Sequence, residues 1–177
     1  MTKIEKPTVL ILDVDGVMTT GQLAYTENGK TMKIFGPDDH DGLSLLKNFM
    51  EIRFVTGDKT GFEISKRRIV HDMHFELDLV STIKRVEWIS KKYPLDKVIY
   101  MGDGIFDHYV FKKVGYSIAT SNSDFLAKKT ANYVTSRNGG DRAVAEACLH
   151  ILEKFFEPYN PDELPNSKFK LSGEWTV

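Results

Sequence analysis

The chain has 177 residues, 41% of them hydrophobic, enough to bury one good core and too few for two. Its 24 basic and 25 acidic residues are interspersed and leave a formal net charge of -1, so no sequence-wide field recruits nucleic acid or an anionic membrane. Small polar ligands are the expected partners. No apolar run is long enough to cross a bilayer, and the first residues, with Lys3 and Lys6, lack the apolar stretch of a signal peptide; a cytoplasmic setting is therefore expected.

Strand-like runs at 8–12, 52–56, 77–80, 98–101, 116–119 and 133–135 alternate with helical patterns at 43–49, 61–73, 84–93 and 110–114, around Leu126, and from 141 to about 156. Strand and helix taking turns predicts an α/β fold, a mostly parallel sheet covered by helices on both faces. One stretch breaks the rhythm: residues 22–35 alternate around Asn28-Gly29, so an antiparallel hairpin over about 20–35 is expected to project from the parallel body. The expected organisation is one domain over 1–157 and an irregular tail over 158–177, which carries three prolines. Cys148, the single cysteine, sits among Val144, Ile151, Leu152 and Phe155 at helical spacing, as a core thiol does. His71 and His74 have a spacing that a metal pair could use, but no acid or cysteine cluster converges on them, so they are read as surface residues.

In open parallel sheets ligands bind beyond the carboxyl ends of the strands. Two such ends carry paired acids: Asp13-Val14-Asp15-Gly16 after the first strand, and Gly102-Asp103-Gly104-Ile105-Phe106-Asp107 after the run 98–101. Asp and Gly are also common turn residues, but their joint occurrence after two buried strands points to chemistry. One carboxylate can attack while its neighbour handles protons. A carboxylate facing a phosphate dianion is repelled by about 4 kcal/mol per charge pair at about 4 Å and an effective dielectric near 20, so a cation must be close. Clustered aspartate oxygens suit Mg²⁺, with Asp103 the natural third contributor.

Thr56 and Gly57 follow another strand and offer a hydroxyl and an unhindered N–H to phosphate oxygens, although such a pair by itself reads more readily as a plain turn. Lys84 begins a helical pattern just beyond a short strand, where its ammonium could offset the carboxylate charge.

Taken in order, Asp13-x-Asp15-Gly16, Thr56, Lys84 and Gly102-Asp103-x-x-x-Asp107 resemble the four-motif signature of the haloacid dehalogenase (HAD) superfamily of phosphatases. Asp-Val-Asp-Gly-Val-Met-Thr at 13–19, the hairpin in place of a large cap, and Gly139-Gly140 before the last helix are similar to the 3-deoxy-D-manno-octulosonate 8-phosphate phosphatase group, which includes nonulosonate 9-phosphate phosphatases and the C-terminal domain of some CMP-sialate synthetases. The resemblance covers roughly residues 8–155. It implies a Rossmann-like fold and hydrolysis of a sugar-acid phosphate through an aspartyl-phosphate. Asp13 would be the nucleophile and Asp15 the general acid and base. Mg²⁺ would be held by Asp13, Asp15 through its carbonyl, and Asp103. Thr56, Gly57 and Lys84 would grip the phosphoryl group, with Asp107 behind them. It further implies a homotetramer assembled through the hairpin. The competing implication is a non-catalytic assembly domain, which would have no need of converging like charges.

The chain departs from its relatives at several points. Gly104 stands where a second acid is usual in the last motif, Thr20 where many have Asp, and Val80-Ser81 where Gln-Gly is common. The loop after Thr56 reads Gly-Asp-Lys-Thr, nearer the nonulosonate type and about two residues longer. Asp39, Asp58, Lys59 and Arg68 are accordingly the candidate substrate contacts.

Overall fold

The first strand, Val9–Asp13 (β1), is buried along its whole length. Its alternation explains how: Leu10 and Leu12 join one apolar cluster and Val9 and Ile11 the other, the pattern of a strand covered on both faces. The computed structural model describes residues 6–165.

Around β1 runs a wholly parallel sheet. Its other members are Glu51–Thr56 (β4), Glu76–Leu79 (β5), Val98–Gly102 (β6), Tyr116–Ala119 (β7) and Tyr133–Val134 (β8), in the order β5-β4-β1-β6-β7-β8. Thr19–Thr26 (β2) and Gly29–Phe35 (β3) form a separate antiparallel hairpin. The helices are Asp39–Leu46 (α1), Phe62–Lys66 (α2), Arg85–Lys92 (α3), Asp107–Phe111 (α4), Phe125–Thr130 (α5) and Ala143–Phe155 (α6). Leu43 and Leu46 of α1 and Val144, Ala147 and Ile151 of α6 pack on one face of the sheet. Ile89 of α3, Val110 and Phe111 of α4 and Ala127 of α5 pack on the other. The expected α/β architecture is therefore present, as a Rossmann-like sheet with a small hairpin.

Strand order reverses at β1, which pairs with β4 on one side and β6 on the other, and such a switch point opens a crevice at the carboxyl edge. Asp13 lies opposite Val55, and Leu12 opposite Met101. Asp13, Thr56 and Asp103 consequently emerge at the same edge.

Several boundaries differ from the sequence expectation. α1 starts at Asp39, four residues early, because Asp38 adopts a left-handed φ of 63° and Asp39 and Asp41 occupy the first turn, where acidic side chains favour helix initiation. The run 61–73 is not one regular helix: after α2, Arg67–Asp72 widens into a π-helical stretch. The hairpin turn centres on Glu27 and Asn28, and only Gly29 takes a positive φ, of 107°. Residues 157–165 hold no helix or strand, and the remainder of the expected tail lies outside the described residues. Among the described residues no helix is long and apolar enough to cross a membrane.

Candidate active site

Asp13 is the last residue of β1 and stays mostly buried. Beyond it the chain turns sharply at Gly16, whose φ is +86°. A Cβ at Gly16 would sit 1.9 Å from Asp103 Oδ2, so this glycine is what lets the loop after β6 reach the loop after β1. One carboxylate oxygen each from Asp13, Asp103 and Asp107 lie within 4.8 Å of one another.

The cation paired with two of them, Asp13 and Asp107, is Arg85. Its side chain is 2% exposed; Nη1 donates to Asp13 Oδ2 at 2.6 Å and to Asp107 Oδ1 at 3.1 Å, and Nη2 to Asp13 Oδ1 at 3.0 Å. Tyr100 completes the cluster, contacting Arg85 and donating its hydroxyl to Asp107 Oδ1 at 2.8 Å. The expectation that Lys84 supplies this charge is corrected by the geometry. Lys84 ends the 3-10 turn Thr82–Lys84 with its side chain 67% exposed and donates to Glu87. Arg85 instead shares the inner face of α3 with Ile89, four residues on, and both are buried.

Asp107 is saturated. Besides Arg85 and Tyr100, it accepts the backbone N–H groups of Asp103 at 2.9 Å and Gly104 at 2.8 Å. It pins the loop and the guanidinium, while Asp13 accepts from Arg85 and from the Val14 N–H at 2.7 Å and Asp103 stands within reach of both acids. Burial pushes the Asp103 carboxyl up to about 8, with Asp13 and Asp107 adding to the rise. Burial also lifts Asp13 to about 6, although Arg85 pulls the other way. Three carboxylates against one guanidinium leave two negative charges without a partner when all are ionised. A hard divalent cation matches both that deficit and the oxygen donors; Asp13, Asp103 and Asp107 are the carboxylates close enough to one another to hold it.

Asp15 is more open than Asp13, its side chain 26% exposed against 11%. Thr56 Oγ1 donates to Asp15 Oδ2 at 3.3 Å and accepts the Asp58 N–H at 3.1 Å. Gly57 is exposed beside the Thr82 side chain. Asp58 does not point freely at solvent. It is paired with Lys30 and Lys33 of the hairpin and accepts the Gly61 N–H. Burial works to raise its carboxyl, but these donors outweigh it and hold the group well below the usual range. Lys59 is exposed. Arg68 is half-buried on the π-helical stretch, near His40 of α1.

Asp39 is corrected as a surface contact: it is 1% exposed, and its Oδ1 accepts the N–H of Ala145 in the first turn of α6 at 3.0 Å. His71 and His74 are exposed and Cys148 is buried, as expected. Two residues that motif reasoning missed are Arg85 and Lys33. Arg85 had a signal, its i,i+4 relation to Ile89. Lys33 had none, because its inward turn depends on an irregularity in the register of the hairpin.

Residues 25–147 match the model of the haloacid dehalogenase-like hydrolase family, and the chain belongs to that family. Within it the chain sits with the phosphatases: it is 32% identical over 155 residues to the 3-deoxy-D-manno-octulosonate 8-phosphate phosphatase of Salmonella typhi, covering 86% of this chain and 82% of that one. Among solved structures, the cobalt-bound form of the corresponding Haemophilus influenzae phosphatase aligns with a TM-score of 0.74 at 27% identity, over 86% of this chain and 91% of that one. The Moraxella catarrhalis phosphatase, solved with magnesium ion, phosphate ion and KDO, aligns with a TM-score of 0.73 at 24% identity, over 87% and 91%; that likeness speaks for the fold.

Proposed function

We propose that this chain is a Mg²⁺-dependent phosphatase acting in the cytoplasm on a sugar-acid phosphate, a 3-deoxy-octulosonate 8-phosphate or a nonulosonate 9-phosphate. The observation that carries the reading is the meeting of Asp13 and Asp103 at the switch point of the sheet, with Arg85 held on Asp13. A scaffold has no need of buried carboxylates whose protonation is so perturbed, which weighs against a purely assembly-forming domain. The named substrate of the related phosphatases, and the cobalt of the Haemophilus influenzae form, support the substrate class and a metal requirement.

In this reading an Asp13 oxygen attacks phosphorus, the bond to the ester oxygen breaks, and Asp15 gives its proton to the departing alkoxide. Asp15, now a carboxylate, takes a proton from water as the water oxygen attacks the aspartyl-phosphate. Phosphate leaves and both acids return to their starting states. Arg85 stabilises charge on the phosphoryl oxygens, the part the sequence suggested for Lys84, with Thr56 and Gly57 as further donors. The bound cation supplies further neutralisation of that charge. Lys59 and Arg68 remain proposed contacts to the sugar acid, and Asp58 takes part by setting the hairpin lysines.

Self-association belongs to the same proposal. Leu23, Tyr25, Met32 and Ile34 are all exposed on the hairpin, Tyr25 at 63% and Met32 at 53%. By the register, Leu23 and Tyr25 belong to one face of the hairpin and Met32 and Ile34 to the other; exposed apolar side chains gathered on one element are often covered by a partner, and a homotetramer through the hairpin would cover them.

The test is Asp13→Asn, assayed with p-nitrophenyl phosphate and with phosphorylated eight- and nine-carbon keto acids in Mg²⁺. Turnover is expected to vanish while circular dichroism and melting stay near those of the parent. Parent-like turnover in the variant sinks the nucleophile and the reading built on it.

A further inference from the structure

We propose that Lys33, carried by the hairpin, is a positioning residue for Asp15, so that the hairpin orients the proton-transferring group of the site. This inference rests on the reading of Asp15 as general acid and base.

The Lys33 side chain is fully enclosed. Its Nζ lies 2.8 and 3.0 Å from the two oxygens of Asp15, 2.8 Å from Asp58 Oδ2 and 2.8 Å from Ser65 Oγ. A buried ammonium is tolerated only when it is paired and hydrogen-bonded, and here the Asp58 carboxylate, the oxygens of Asp15 and the Ser65 hydroxyl satisfy it. Asp15 has no comparable anchor elsewhere: its other side-chain contact among the described residues is the neutral hydrogen bond from Thr56 at 3.3 Å.

The local backbone is built for this reach. The hairpin register shifts between Ala24↔Met32 and Tyr25↔Lys30. The extra residue in β3 brings Lys30 and Lys33, three apart, to the same side. On the opposing loop, a Cβ at Gly61 would lie 2.2 Å from Asp58 Oδ2 and 2.8 Å from both Lys30 Cδ and Lys33 Cε, so only glycine leaves room for both lysine stems. Proton transfer needs heavy atoms within roughly 2.6–3.2 Å, and a carboxylate released from Lys33 is free to rotate away from that distance.

The test exploits the leaving group. The nitrophenolate of p-nitrophenyl phosphate departs without a proton, whereas the alkoxide of benzyl phosphate needs one. With both esters, kcat/KM reports the step in which that bond breaks. Lys33→Met is expected to lower kcat/KM for benzyl phosphate by about 30-fold and for p-nitrophenyl phosphate by less than about 3-fold, against the roughly 10²- to 10⁴-fold range of general acid–base catalysis as a whole. Lys33→Gln, which keeps an N–H donor, is expected to recover part of the loss and carries the same comparison should Lys33→Met fail to fold. Equal losses on both esters, or none, overturn the inference. Asp15→Asn separates the two levels: selective loss there but not in the Lys33 variants removes Lys33 alone, while no selectivity in any variant removes the acid assignment and the inference with it.

Discussion

Arg85 grips Asp13 with two nitrogens, at 2.6 and 3.0 Å, in the planar fork-to-carboxylate geometry that lysine cannot reproduce. The pair is almost wholly buried, and this decides what each neighbouring cation is worth. Arg85→Ala is expected to lower kcat/KM by about 10²-fold or more, the scale of losing one preorganised charge at a reacting centre. It should also destabilise the fold by about 3–5 kcal/mol, because Asp13 and Asp107 lose their common partner. Lys84→Ala, removing an exposed ion pair with Glu87, should stay within about 2-fold of the parent in the same assay. The reverse ranking would return the catalytic charge to Lys84.

Much of this site is legible in the sequence because its acids obey topology. Asp13 and Asp103 each follow a fully buried apolar run, so their place at the carboxyl edge follows from strand burial alone. Arg85 was obscured by its neighbour: Lys84 and Arg85 are adjacent cations, and a one-residue difference in where a helix starts decides which faces in. Lys33 was obscured by the β3 irregularity, since strict alternation sends the side chains of Lys30 and Lys33 to opposite faces. Asp39 shows the opposite failure. It reads as a charged loop residue until the early start of α1 turns it against α6.

The perturbed carboxylates make stability and metal binding depend on pH with a definite sign. Asp103 is raised to about 8 and Asp13 to about 6, both chiefly by burial. A native state that holds protons more tightly than the unfolded chain gains stability that is complete below about pH 4 and is lost as pH rises through the native values. The metal-free protein is therefore expected to lose melting temperature between about pH 5.5 and 8.5. Mg²⁺, which replaces the protons, should raise melting more at the alkaline end of that window than at the acid end. Asp103→Asn should remove most of this Mg²⁺ response. Equal Mg²⁺ shifts at both ends would put the ion somewhere other than this cluster.

Gly104 stands where the family resemblance leads one to expect a second acid, and the position is sterically open. A Cβ there would meet only Asp107 Oδ2, at an ordinary 3.5 Å. Gly104→Asp is expected to reduce the Mg²⁺ concentration needed for half-maximal activity, since an added oxygen donor strengthens a hard-cation site. Titrating activity against Mg²⁺ in both proteins checks this. An unchanged or increased requirement would mean that repulsion from Asp107 outweighs the new ligand.

Asp39 separates a structural acid from a substrate contact. Its Oδ1 caps the Ala145 N–H, its Oδ2 meets no donor among the described residues, and burial lifts the carboxyl to about 6. Its native value exceeds the usual 3.8, so its contribution to stability is whole below about pH 4 and disappears as pH rises through about 6. The amide introduced by Asp39→Asn would keep an acceptor for the Ala145 N–H and carry no charge to desolvate. Between about pH 4 and 7.5 the stability of this variant relative to the parent should therefore shift in the variant's favour by about 2–3 kcal/mol, from a difference of roughly two units at about 1.36 kcal/mol each. Urea unfolding at the two pH values measures that shift, and parallel curves would refute it. KM for the sugar phosphate should be unaffected, because a side chain closed between α1 and α6 has no path to a ligand at the carboxyl edge of β1; a raised KM with unchanged stability would restore Asp39 to the substrate.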